Sequence, residues 1–131
     1  MTQTITIDAR ALLLDQMVAI ARAAGDLIMG HYAGSVERRE KSDKSPVTIA
    51  DEDAERLIIA RLREAAPGIP IVAEEQAAAG LLPDIGGGVF FLVDPLDGTK
   101  PYIRGSPEFT INIALIHQRV PAFGLVYAPA I

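Results

Sequence analysis

The chain has 131 residues, half of them hydrophobic, with a formal charge of −5 and an isoelectric point near 4.9. That length supports a single domain with a packed core, and the acidic balance leaves no overall basic field to attract nucleic acid or anionic lipid. The absence of cysteine excludes disulfides, thiolate zinc sites and cysteine nucleophiles, and it suits a reducing, cytoplasmic setting.

The opening "MTQTITIDAR" lacks the basic start and apolar run of a signal peptide. The apolar stretch after it is broken by Asp15, Arg22 and Asp26, so no segment reaches the roughly 20 apolar residues of a membrane span. Helical spacing of Leu13, Met17, Ile20, Ala24, Leu27, Ile28 and Tyr32 predicts a long amphipathic helix, with Asp8 as N-cap and Gly34 as its stop. "SVERREKSDKSP" (35–46) is polar and reads as a surface loop. A second helix follows through Ala54, Leu57, Ile58, Arg61 and Leu62, ending at Pro67-Gly68. The runs 69–75, 88–94, 109–116 and 120–129 are rich in Val, Ile and Phe and read as strands. Only "HQR" separates the last two, which predicts an antiparallel hairpin. Helices followed by strands imply an α+β fold, with the helices packed on one face of a mixed or antiparallel sheet. The last strand leaves a sheet edge to be protected, so either a partner, such as a second copy, or further chain is expected there.

The chemistry concentrates where the second strand run stops. In "VFFLVDPLDGTK" the apolar residues end at Asp94, Pro95 fixes the backbone, and Asp97-Gly98-Thr99 suits a tight turn opening a helix with free amides at Gly98, Thr99 and Lys100. Free amides at a helix start favour an anion. Two carboxylates beside a phosphate would repel it unless a hard divalent cation such as magnesium lay between them. A turn that merely ends a strand is the plainer explanation. Glu74 and Glu75 close the strand run 69–75, and alternation of side chains would let only one of them face Asp94. Asp51 lies three residues after Thr48, a spacing that a helix cap explains as readily as a carboxylate orienting a water. Lys44, Lys100 and Arg104 could supply nearby positive charge but read as solvated. His31 and His117 read as structural or solvated side chains rather than ligands.

Together, "SPVTIADEDAE", "VAEE", "DPLDGT" and "FTINIALI" with "PAFGLVYAP" resemble the magnesium-dependent phosphomonoesterases of the inositol monophosphatase superfamily, and most of all its CysQ-type 3′(2′),5′-bisphosphate nucleotidases. The resemblance implies the first half of a layered sugar-phosphatase fold, with residues 1–131 forming one domain and the C-terminal half of the family chain absent. It implies that Glu74 and Asp94, with the carbonyl of Leu96, bind one magnesium, and that Asp94 and Asp97 bind a second. It further implies that the Gly98 and Thr99 amides, with Glu74 alongside, hold the phosphorylated nucleotide, and that Asp51 and Thr99 orient the attacking water. The family's later metal-binding aspartate, in a tryptophan-aspartate motif, has no counterpart in a chain without tryptophan. Pro101 stands where the CysQ-type pattern carries an acid. The expected reaction is hydrolysis of the 3′-phosphate of adenosine 3′,5′-bisphosphate in the cytoplasm, with peripheral contact at the inner membrane known for some relatives. An inositol or sugar phosphate phosphatase and a catalytically silent phosphate-binding half are the alternatives.

Overall fold

The computed structural model of the chain describes residues 7–34 and 48–131, apart from the side chains of 7–11, 33–34, 48 and 103. The loop expected at 35–46, and Lys44 with it, lie outside these residues. Two long helices come first, α1 (Ile7–Gly34) and α2 (Thr48–Ala65). Because α1 already begins at Ile7, Asp8 sits inside its first turn rather than at the cap. Leu13, Met17, Ile20, Ala24 and Ile28 are buried along one stripe of α1, as their spacing dictates. On α2 the buried stripe is Ala50, Ala54, Ile58, Ile59 and Leu62, whereas Arg61, expected on that face, is exposed.

The strands β1 (Ile71–Ala73), β2 (Val89–Asp97), β3 (Thr110–His117) and β4 (Val120–Tyr127) form one sheet in the order β1-β2-β3-β4. β1 runs parallel to β2, and the other two pairings are antiparallel, so the sheet is mixed. α2 packs on β2 and α1 on β3 and β4, which places both helices on the same face. That face carries Val89, Phe91, Val93, Ile111, Ile113 and Leu115, all buried, and with the helix stripes it makes the core. On the opposite face Leu92 and Val126 are exposed. The expected hairpin is present, closed by Gln118 (φ 51°) and Arg119 (φ 69°) between the paired His117 and Val120. Positive φ at both central residues is the type I′ geometry that matches strand twist.

Two expectations about strand ends are corrected. The first strand stops at Ala73, and Glu74 and Glu75 instead open a short helix, α3 (Glu74–Ala78). β2 does not stop at Asp94: Asp94 pairs with Asn112 and Asp97 with Thr110, so two residues of β2, Pro95 and Leu96, stand opposite one of β3, Ile111. That is a one-residue bulge, and it absorbs Pro95, which has no N–H for the ladder. After Gly98 comes α4 (Thr99–Ile103). Among the described residues no helix is long and apolar enough to cross a membrane.

Candidate active site

Asp51 stands on the core-facing side of α2, only 8% exposed, and its Oδ1 has no hydrogen-bond partner among the described residues. A buried carboxylate oxygen without a partner is costly when charged, so burial favours the protonated form of Asp51. Burial first, and then the charges of Glu75, Glu74, Asp94 and Glu55, push its pKa from the usual 3.8 to about 8. These residues come from three elements: α2 supplies Asp51 and Glu55, α3 supplies Glu74 and Glu75, and β2 supplies Asp94. Strand alternation, which would have let one glutamate face Asp94, does not apply, because both glutamates lie in the first turn of α3.

The Glu74 and Asp94 carboxyls lie close enough to act on each other through a hydrogen bond. That contact, followed by burial and the charges of Asp94, Glu75 and Glu55, raises Glu74 from 4.5 to about 7. Two carboxyl groups so placed share a proton or share a cation. Asp94 Oδ1 also accepts the Leu96 N–H at 3.3 Å, across the bulge. Leu96 as a whole is buried, 2% exposed, and its apolar side chain offers the site no ligand atom, which leaves its carbonyl as the one group it could contribute.

Asp97 stands apart from this group. It is exposed, the main charges acting on Asp51 and Glu74 are those of other residues, and its Oδ2 accepts from Asn112 Nδ2 at 3.4 Å. Among the described residues, no three acidic or histidine side chains enclose a single point as a cation cage would. What is assembled is a Glu74–Asp94 pair with the buried Asp51 in its electrostatic reach, and Asp97 three residues further along β2. The donor set is all hard oxygen, and the orphaned Asp51 atom and the shared-proton pair both call for positive charge. This chemistry fits a divalent cation of the magnesium kind.

Gly98 turns the chain into α4 with φ 98° and ψ 52°. A Cβ there would meet the Glu108 carbonyl oxygen at 2.8 Å, so both space and backbone require glycine. Thr99 and Lys100 follow, exposed, in the first turn of α4. Pro101 also falls in that turn, where no helix hydrogen bond needs its missing N–H, so it fits without disturbing the start of α4. α4 is pinned from below: Tyr102 donates to the Ile28 carbonyl at 3.3 Å, Tyr32 donates to that of Gly105, and Tyr102 meets Phe109 edge-on at 5.1 Å. Burial first, then the charge of Asp51 and Tyr32, pushes the Tyr102 phenol up to about 12, so it stays a donor.

Arg104 is exposed. His31 Nε2 lies 3.4 Å from Asp53 Oδ2 and links α1 to α2, and His117 ends β3 at the hairpin. Sequence reasoning missed two contributors. Glu55 is 4% exposed, and Asn112 reaches Asp97 from the neighbouring strand. Glu55 could have been noticed as an acid four residues after Asp51, on the same helix face and between the core positions Ala54 and Ile58. Asn112 gave no such sign, since it depends on the register of β2 and β3.

Residues 10–131 match the inositol monophosphatase family. The chain is 46% identical over 121 residues to the 3′(2′),5′-bisphosphate nucleotidase CysQ of Salmonella typhimurium, covering 91% of this chain and 49% of that protein. It is 44% identical over 119 residues to the nucleotidase of the same name from Escherichia coli K12, covering 89% of this chain and 48% of that one. Among solved structures it is similar to CysQ from Bacteroides thetaiotaomicron, with 36% identity, a TM-score of 0.70, and coverage of 87% of this chain and 41% of that one. It is also similar to the Thermotoga maritima IMPase, with 33% identity, a TM-score of 0.73, and coverage of 89% and 44%. The chain therefore spans about half the length of the curated relatives it matches.

Proposed function

The chain belongs to the inositol monophosphatase family, and from that premise we propose that it is the N-terminal portion of a magnesium-dependent phosphomonoesterase. Its substrate is adenosine 3′,5′-bisphosphate, and its products are AMP and phosphate. The observation that carries this reading is the Glu74–Asp94 contact acting on the buried Asp51, whose Oδ1 has no partner among the described residues. The nucleotide is chosen over other phosphomonoesters on the similarity to the CysQ nucleotidases.

In this reading Glu74, Asp94 and the Leu96 carbonyl would hold one magnesium, and Asp94 and Asp97 would hold a second. Magnesium bound there supplies the positive charge that makes a water more acidic and steadies the departing oxygen. The amides of Gly98 and Thr99 receive the phosphate, with Glu74 alongside. Asp51 and the Thr99 hydroxyl orient the water for attack on phosphorus, Asp51 by accepting its hydrogen bond. A bond forms between the water oxygen and phosphorus as the bond to the 3′ oxygen breaks; of the two protons of the water, one ends on the departing 3′ oxygen and the other stays on the released phosphate. No covalent phospho-enzyme is required. The chain's own contribution is placement of charge and of water. A cytoplasmic setting accords with this substrate.

The test is phosphate release by the product of the complete reading frame from adenosine 3′,5′-bisphosphate and from inositol 1-phosphate, each with magnesium or with chelator. Faster magnesium-dependent release from the nucleotide supports the proposal. A preference for inositol 1-phosphate replaces it with an inositol monophosphatase. Nucleotide binding without hydrolysis of any phosphomonoester leaves a silent binding module.

A further inference from the structure

We propose that Glu55 is a positioning residue, which fixes α3 and thereby sets where Glu74 stands against Asp94. The helix α3 has five residues and lacks a local cap: Ala73 at its N-cap offers no side-chain hydrogen bond. So short a helix does not hold itself together. Its first-turn amides are met from α2 instead. Glu55 Oε1 accepts the Glu75 N–H at 2.8 Å, and Oε2 accepts the Gln76 N–H at 3.1 Å. A buried carboxylate that accepts from two successive amides, one on each oxygen, is a rigid fork. Glu74 is the residue immediately before the first clamped amide, so the tilt of α3 is the position of Glu74.

The same fork links α3 to Asp51. Asp51 and Glu55 are one turn apart on α2, so a single helix face both presents the buried acid and holds the element carrying Glu74. α2 acts as a template, with Asp51 and α3 kept in register by Glu55. This role rests on the function proposed above, because it gives Glu74 a cation to hold.

The test compares wild type with Glu55→Gln, which keeps the shape but turns an NH2 donor towards one of the two amides. Magnesium titration by calorimetry on the full reading-frame product is expected to show affinity weakened by about tenfold, the usual scale for a residue that orients a metal ligand. The magnesium concentration for half-maximal rate should rise by the same factor, while KM for the nucleotide at saturating magnesium moves less than twofold. Glu64→Gln, exposed on the same helix, should leave all three unchanged. Where Glu55→Gln does not fold, Glu55→Asp, which keeps the charge on a shorter arm, takes the same titration with the same expected direction. Unchanged magnesium affinity in a folded Glu55 variant overturns the positioning role and leaves the functional reading standing. A wild type that binds no magnesium overturns the functional reading, and hydrogen exchange at the Glu75 and Gln76 amides, expected to quicken in Glu55→Gln, then decides whether Glu55 holds α3 at all.

Discussion

Replacing Asp51 by asparagine in metal-free protein should stabilise the fold at alkaline pH, because the native chain must otherwise ionise a buried acid beside four others. The folded carboxyl keeps its proton up to about pH 8, whereas the unfolded one loses it near 3.8. Below 3.8 both states are protonated, and the wild type and the Asp51→Asn variant should be equally stable. As pH climbs from there through 8, the unfolded wild type gives up its proton and the folded one does not, so wild-type stability falls relative to the variant and then levels off. Roughly four pKa units at about 1.4 kcal/mol each set a ceiling near 6 kcal/mol. The proton shared by Glu74 and Asp94 can relieve part of that repulsion, and water can enter, so an advantage of about 2 to 4 kcal/mol is expected at pH 9. Urea unfolding in chelator, followed by far-UV circular dichroism since the chain has no tryptophan, measures the gap. A gap that stays constant between pH 4 and pH 9, or a variant less stable than wild type at pH 9, would refute the reasoning.

Three further outcomes follow from the geometry. Gly98→Ala must place a Cβ 2.8 Å from the Glu108 carbonyl oxygen at φ 98°, and a loss of about 2 to 3 kcal/mol is expected in thermal unfolding. Phe91→Ala, at a position with no exposure between the sheet and the helices, should cost about 3 to 5 kcal/mol in urea unfolding. Asp94→Asn should lower magnesium-dependent phosphate release by at least about a hundredfold, with the secondary structure unchanged by circular dichroism.

Much of this architecture is legible because it is local. The stripe from Leu13 to Ile28 has the period of a helix, and the two apolar runs around "HQR" leave room for nothing but a tight hairpin. The elements that escaped are those whose reasons lie elsewhere in the chain. Nothing in "IPIVAEE" marks the break after Ala73, since the acceptor for the α3 amides is Glu55, far back on α2. Pro95 argues locally against a continuing strand, yet β2 passes it because the bulge against β3 asks for no hydrogen bond there. For the site, residue types and spacing pick out Asp51, Glu74, Asp94 and Asp97 as acids near one sheet end. They cannot give the grouping that sets Glu74 and Asp94 in contact and leaves Asp97 with Asn112.

The most direct measurement is the number of protons released when magnesium binds, obtained from calorimetric titrations at pH 7 in two buffers of different ionisation enthalpy. Crowded carboxyls that keep protons with pKa values of about 7 and 8 must give them up to a cation. The account predicts net proton release on binding, reduced in Asp51→Asn. Binding that releases no proton, or no magnesium binding at all, would contradict it.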